Sequence, residues 1–91
     1  MVWQIEFDAD ALKEIKRLDK PVRERIVSFL KTRVATSKHP SDLGERLSGD
    51  ALGKYWKYQL RDRRIICEII DTRVVVRVLR IGHCGAVYKR G

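Results

Sequence analysis

The 91-residue chain is poor in the residues that build covalent or metal-held folds, with only two cysteines and two histidines. Cys67 and Cys84 are too few for the disulfide framework of a small secreted protein, and Cys67 sits in an apolar run where a free buried thiol is usual. Neither cysteine has metal-ligand spacing from His39 or His83, and a structural zinc site needs four well-spaced ligands. We therefore expect no metal and no cofactor.

The chain also lacks long apolar runs, repeats and low-complexity segments. No stretch reaches the length of about 18 apolar residues that a membrane-spanning helix needs. The first residues, VWQIEF, alternate like a strand and do not form the basic and then apolar pattern of a secretory signal. These absences predict no membrane partner and a cytoplasmic location. A length of 91 residues allows one modest core and is too short for two, which predicts a single domain spanning residues 1–91.

Charge, in contrast, is abundant and of one dominant sign. Twenty Lys and Arg residues stand against 12 Asp and Glu, giving a net charge of +8. Residues 54–91 hold ten of these cations and only three acids, Asp62, Glu68 and Asp71. So large a field on so small a body favours nucleic acid, an anionic membrane surface or an acidic protein as the partner.

The first half of the chain predicts one strand followed by one helix. Val2–Phe7 alternates apolar and polar residues, which is typical of a half-buried strand. Asp8 is predicted to cap the next helix, because its carboxylate can accept the free N–H groups of the first turn. That helix, Ala9–Leu18, is amphipathic. Its predicted core-facing stripe consists of Ala11, Leu12, Ile15 and Leu18.

A second helix is predicted to follow and to pair with the first. Pro21 suits a first helical position, since its φ angle is preset and no N–H is wasted there. The expected core-facing stripe is Val22, Ile26, Phe29, Leu30 and Val34. The next segment, Ser37–Gly53, is predicted to be a loop with one short helical turn. Its core anchors would be Leu43, Leu47 and Leu52.

The second half predicts three consecutive antiparallel strands. These are Tyr55–Leu60, Arg63–Ile70 and Val74–Ile81, joined by turns at Arg61-Asp62 and Asp71-Thr72, with Gly82 ending the last strand. Within the middle strand the run Ile65–Ile70 is apolar on both faces except at Glu68, as expected of a central strand. The predicted fold class is therefore α+β, with a sheet of about four strands, two helices on one face and a short C-terminal tail or helix.

This order of elements resembles the RelE/ParE superfamily of bacterial toxins over nearly the whole chain. The matching stretches are FDADALKEIKRLDKPVRERI, then LSGD with YWKYQLRDRRIICEIID, and then VVVRVLRIGHCGAVYKR. The chain is more similar to the RelE branch. The resemblance implies a toxin of a type II toxin–antitoxin system that cleaves messenger RNA in the ribosomal A site and is held inactive by a cognate RelB-like antitoxin. Operator DNA would be reached only through that antitoxin.

Metal-free RNA cleavage needs a base for the ribose 2′-OH, positive charge around the phosphate and an acid for the leaving oxygen. Because Glu68 lies in an apolar run without an evident partner, these tasks fall to cations and a tyrosine. The resemblance implies four catalytic residues, Lys57, Arg64, His83 and Tyr88.

Each of these four residues has a role and a plainer alternative. Lys57 would contact the phosphate and help to activate the 2′-OH, or be a solvated lysine. Arg64 would stabilise phosphate charge with its fork of donors, or form a surface ion pair. His83 would protonate the leaving group, or be an exposed histidine without a role. Tyr88 would stack on a base or exchange a proton, or pin the tail to the sheet.

Four further cations, Arg61, Arg63, Lys89 and Arg90, are assigned to electrostatic grip on the RNA backbone, with solvated surface charge as the alternative. The chain departs from the RelE-like pattern at two basic positions, which hold Cys84 and Gln59, and Arg61 stands where many relatives have glycine. A thiol offers no pair of fixed donors to a phosphate. The departures imply a weakened toxin, a laboratory variant or a toxin whose other cations compensate.

Two other functions stay open at this point. A ParE-like toxin would poison DNA gyrase by binding, without catalysis. A binding-only relic would merely dock its antitoxin and co-repress its own operon, and the loss of basic residues at Cys84 and Gln59 is the motive for that alternative.

Overall fold

The structure, a computed structural model, describes residues 2–47 and 55–83, and of His83 the backbone only. Two helices and one mixed sheet form the scaffold. The helices are α1 (Ala9–Lys16) and α2 (Lys20–Ser28), and the strands are β1 (Gln4–Phe7), β2 (Glu45–Arg46), β3 (Tyr55–Leu60), β4 (Arg63–Ile70) and β5 (Val75–His83). A π-helical turn, Phe29–Val34, continues α2, and 3-10 turns form at Pro40–Leu43 and Asp71–Arg73.

The sheet has the strand order β1-β5-β4-β3-β2. β1 runs parallel to β5, and every other neighbouring pair is antiparallel. β4 is the central strand, in agreement with its apolar character on both faces. The predicted α+β class and element order are confirmed, and the sheet gains a fifth strand because residues 45–46 of the loop pair with β3.

Both helices pack their apolar stripes against one face of the sheet. The buried cluster joins helical residues such as Ala11 and Ile26 to strand residues such as Tyr58. Its members are Trp3, Ala11, Ile15, Ile26, Leu30, Val34, Tyr58, Ile65, Cys67, Val76, Val78 and Ile81. The stripe predicted for the second helix is confirmed, since Val22 and Phe29 also pack against this cluster. Leu12, predicted to face the core from α1, is instead exposed, with 42% of its surface accessible.

Asp8 does not cap α1 with its side chain, contrary to the prediction. Its carboxylate Oδ1 lies 3.1 Å from Nη2 of Arg77 on β5, while its backbone carbonyl accepts the N–H of Leu12 at 2.9 Å. The physical reason is that the parallel pairing of β1 with β5 places a guanidinium beside the start of the helix. The Asp8 carboxylate accepts a charge-assisted hydrogen bond from Arg77 and is therefore not used to cap the N-terminus of α1.

Several predicted boundaries shift in the structure. β1 begins at Gln4, two residues after the predicted start, and α1 ends at Lys16, two residues before the predicted end. β5 begins at Val75, because Val74 closes the preceding 3-10 turn with a φ of 55°. Gly82 was predicted to end the last strand, but strand pairing continues through His83, whose partner is Arg63. No helix in residues 2–47 and 55–83 is long and apolar enough to cross a membrane.

Candidate functional site

The strand register brings Lys57 and Arg64 to the same face of the sheet. Lys57 pairs with Ile66, and Arg64 pairs with Gln59 on one side and Gly82 on the other. Cross-strand partners point to the same face, and residues two apart along a strand do so as well. Lys57 and Arg64 are therefore diagonal neighbours on the face that is opposite to the helices, and we call it the Lys57 face.

A carboxylate that was not predicted for the site lies beside Lys57. Residue Glu45 pairs with Lys57 in the register of β2 and β3, and its Oε1 is 3.4 Å from the lysine Nζ. The Lys57 side chain is 18% exposed, whereas that of Glu45 is 77% exposed, so the ion pair leaves the carboxylate open to solvent. Sequence reasoning missed Glu45 because the Ser, Asp and Gly punctuation around it predicted a loop.

Glu68 also lies on the Lys57 face, although its apolar neighbours suggested a buried position in a strand core. Its register partners are Tyr55 on β3 and Arg77 on β5, and it is half-buried. Along β4 it stands four residues from Arg64, or about 13 Å at the rise of a strand. Between the two carboxylates, Glu45 is the one with a direct contact to a predicted site cation.

His83 and Tyr88 are not placed with the other two catalytic candidates by the described structure. The backbone register puts His83 opposite Arg63, in the row next to the one that holds Arg64 and Gly82. The side chain of His83 and the whole of Tyr88 lie outside the described residues. Of the four catalytic predictions, the structure thus brings together Lys57 and Arg64.

Of the four predicted RNA-binding cations, two lie within the described residues and two lie outside them. Arg61 is exposed at the tip of the β3–β4 hairpin with a φ of 60°. Arg63, the first residue of β4, has its Nε at 3.9 Å from Oδ1 of Asp62. Lys89 and Arg90 lie outside the described residues, as does Cys84.

The two groups in the described structure with strongly raised acidic pKa values belong to the core. Burial raises the pKa of the Tyr58 phenol, whose Oη donates to the carbonyl of Pro40 at 2.8 Å. Burial likewise raises the pKa of the Cys67 thiol. Both side chains are fully buried on the helix side of the sheet, so they hold the scaffold together and do not reach the Lys57 face. Within the same described ranges, no three His, Cys, Asp or Glu residues are grouped so that they could hold a metal ion.

Comparison with known proteins assigns the chain to a toxin family. The family model described as the ParE toxin of the type II toxin–antitoxin system, parDE, matches residues 5–88. The chain is 32% identical over 84 residues to the mRNA interferase toxin RelE of Escherichia coli K12, covering 90% of this chain and 83% of that relative.

Solved structures show the same fold. The RelBE2 toxin–antitoxin complex of Mycobacterium tuberculosis superposes with a TM-score of 0.83 at 19% identity, covering 92% of this chain and 93% of that one. The intact RelBE toxin–antitoxin complex of E. coli gives a TM-score of 0.71 at 30% identity, covering 90% and 96%.

The chain belongs to the ParE toxin family of type II toxin–antitoxin systems. Within the wider RelE/ParE superfamily it is a RelE-like toxin, as the resemblance implied.

Proposed function

We propose that this chain is a ribosome-dependent endoribonuclease that cleaves messenger RNA in the A site by attack of the ribose 2′-OH, without a metal ion. The proposal depends on one observation. Lys57 and Arg64 are diagonal neighbours on one face of the sheet, and the solvent-exposed carboxylate of Glu45 lies beside Lys57. The 32% identity to a protein named as an mRNA interferase supports the same reaction.

Each residue of this group has a distinct chemical task. Arg64 offers a planar fork of donors that suits the charge developing on the phosphate oxygens in the transition state. Lys57, held by Glu45, adds a second positive charge within reach of the same phosphodiester. Glu45 is the group suited to accept the 2′-OH proton, because a carboxylate accepts a proton and Lys⁺ and Arg⁺ do not. This assignment revises the expectation that cations and Tyr88 carry the reaction alone.

The leaving 5′-oxygen needs a proton donor, and His83 and Tyr88 remain the candidates. His83 is the better of the two on chemical grounds, since an imidazolium titrates near neutral pH and can give up a proton there. Arg61 and Arg63 lie at the hairpin end of β3 and β4 and supply attraction for the RNA backbone there, although the pairing of Arg63 with Leu60 turns the Arg63 side chain to the other face of the sheet.

A RelB-like antitoxin is proposed as the cognate partner that holds the toxin inactive. The relatives from M. tuberculosis and E. coli are toxin–antitoxin complexes. Because the chain has a net charge of +8, an acidic partner would bind it with favourable electrostatics.

Cleavage of a defined message on translating ribosomes tests the proposal. We expect cleavage by the unaltered chain, and a fall of about 10²- to 10³-fold in rate for Arg64→Ala, the loss typical of one transition-state donor. Glu45→Gln should lower the rate while leaving ribosome binding intact. Arg73→Ala is the matched control, since it removes an exposed arginine that pairs with Glu6 at the other end of β5. If neither the unaltered chain nor its Cys84→Arg variant cleaves, the nuclease is refuted.

The alternative supported by a specific observation is a gyrase poison of the ParE kind, because the matching family model is one of ParE toxins. A supercoiling assay with purified gyrase separates the two functions. Inhibition of supercoiling that survives Arg64→Ala and Glu45→Gln would favour the gyrase poison. An absence of growth arrest on induction would favour the binding-only relic.

A further inference from the structure

We propose that α2 and the turns after it form a second RNA-binding surface, which contacts the phosphate backbone of structured RNA on the side of the toxin opposite to the Lys57 face. The inference rests on the proposed function in that it takes RNA as the partner. It concerns residues 20–38, which include none of the candidate site residues.

The argument begins with the way the positive charge is distributed. Five of the cations on or next to the sheet have a carboxylate within 4.0 Å in the described structure. These are Lys57 with Glu45, Arg63 with Asp62, Arg73 with Glu6, Arg77 with Asp8 and Arg80 with Glu14. Five of the ten cations of residues 54–91 are thus offset locally, four of them by acids from the first half of the chain and Arg63 by its neighbour Asp62.

Residues 20–38 show the opposite balance, with six cations against the single acid Glu24. The cations are Lys20, Arg23, Arg25, Lys31, Arg33 and Lys38. None of the six has a carboxylate within 4.0 Å among residues 2–47 and 55–83. Five of them are exposed, and Arg23 is half-exposed. The segment therefore carries a charge of +5 that no neighbour within the described ranges compensates.

Packing of α2 fixes the direction in which this charge points. Ile26, Leu30 and Val34 are buried in the cluster that covers the helix side of the sheet, and the ring of Phe29 meets that of Tyr58 edge-on at 5.7 Å. None of the six cations belongs to that cluster, and five of them are exposed in the helix layer and the loop after it. The basic surface of α2 and the Lys57 face thus lie on opposite sides of the molecule.

An uncompensated cation surface of this kind suits a polyanion with regularly spaced charges. Each lysine or arginine that contacts a phosphate releases a condensed counterion, so affinity falls steeply with salt and does not depend on base sequence. A segment with three cations on α2, two on the π-helical turn and one in the loop after it, and with no dominating apolar patch, fits the backbone of a folded RNA better than an apolar protein groove. RNA bound on this surface would leave the Lys57 face open to a message.

The test measures binding of the purified chain to a short RNA hairpin of arbitrary sequence over a series of salt concentrations. The variant Arg25→Gln/Lys31→Gln/Arg33→Gln should reduce the slope of log affinity against log salt by about 2 to 3, near one for each phosphate that the variant no longer neutralises. The matched control is Lys13→Gln/Lys16→Gln/Arg17→Gln. It removes the same charge from exposed positions of α1 and its end, where acids such as Asp10 and Asp19 balance the cations.

A reduced salt slope in the α2 variant alone supports the proposed RNA-binding surface. An equal reduction in both variants would show that RNA affinity depends only on net charge, and the proposal would be wrong. Thermal unfolding of both variants confirms that they are folded. If the α2 variant keeps its RNA affinity but no longer binds the antitoxin, the surface belongs to an acidic protein and the inference is wrong. The hairpin assay needs no ribosome and no cleavage, so a failed cleavage assay refutes the nuclease and leaves this result unaffected.

Discussion

The carboxylate of Glu14 on α1 accepts a hydrogen bond from the backbone N–H of Ile81 on β5, at 2.7 Å from Oε1. β1 pairs with β5 only through Val78, so the later part of that edge has no strand beside it on the α1 side within the described residues. Glu14 satisfies one of its amides and also binds Arg80, whose Nη2 lies 2.9 Å from Oε2. The Glu14 side chain of α1 thus stabilises the C-terminal half of β5, next to the candidate site.

Replacement of Glu14 by alanine should therefore destabilise the fold by about 1–2 kcal/mol, because it removes a charge-assisted acceptor from a partly buried amide. Glu14→Gln should cost less, since its amide oxygen still accepts the Ile81 N–H. Urea unfolding measures the loss, and amide hydrogen exchange should show faster exchange at Ile81. If Arg80→Ala proves as costly as Glu14→Ala, the exposed ion pair and not the edge bond carries the effect.

Tyr58→Phe tests the bond that ties the loop after α2 to the sheet. The phenylalanine keeps the edge-on contact with Phe29 but leaves the carbonyl of Pro40, a fully buried residue, without its donor. We expect a loss of about 1–2 kcal/mol in the free energy of unfolding. Chemical denaturation provides the measurement. An unchanged midpoint would mean that water replaces the hydroxyl.

Gly44→Ala should destabilise β2 through crowding and not through backbone strain, since the φ of Gly44 is −136°. An added Cβ would lie 2.5 Å from the carbonyl oxygen of Lys57 and 2.8 Å from Cδ1 of Tyr58. Overpacking of this kind costs about 1–3 kcal/mol. Thermal unfolding measures it, with Ser41→Ala as a neighbouring control that should stay within about 0.5 kcal/mol. Equal melting temperatures for both variants would contradict the packing argument.

Arg61→Gly should stabilise the hairpin, because a φ of 60° is costly for any residue with a Cβ. We expect a gain of about 1 kcal/mol, measured by thermal unfolding, together with weaker RNA binding if Arg61 contacts the backbone. Asp62→Gly serves as the control, since the neighbouring Asp62 does not have a positive φ. A glycine there should be neutral or destabilising, and stabilisation at both positions would argue against strain.

Stability should fall at alkaline pH. Burial raises the pKa of Cys67 above its ordinary value of 9.0 and that of Tyr58 above 10.0. Above these values the unfolded chain releases protons that the folded protein retains, so the free energy of unfolding decreases as pH rises. Well below pH 9.0 both groups are protonated in both states and contribute no slope.

Urea unfolding over a series of pH values checks this, with a decrease of about 1.4 kcal/mol per pH unit for each group past its ordinary pKa. Cys67→Ala should move the onset upward toward pH 10.0, the ordinary pKa of the remaining Tyr58 phenol. A curve identical to that of the unaltered chain would show that the thiol does not contribute.

Local pattern was enough to predict most of the scaffold. The stripe from Val22 to Val34 follows the period of a helix, and the run from Ile65 to Ile70 has the apolar character of a central strand, so each predicts its own environment. The resemblance extended this to the family. For the candidate site, the resemblance named Lys57 and Arg64. These residues lie on consecutive strands joined by a two-residue turn, so the antiparallel pairing of the two strands brings them close together.

Only the tertiary structure decided the contacts between distant segments. Periodicity could not reveal that β1 lies parallel to β5. Because of this strand pairing, the Asp8 carboxylate binds Arg77 and does not cap α1 as predicted. Glu45 joined Lys57 for the same reason, through a two-residue strand inside a predicted loop. The sequence by itself determined which faces are apolar, because burial follows local spacing. Which charges meet depends on chain segments that are remote in sequence, and packing alone brings those together.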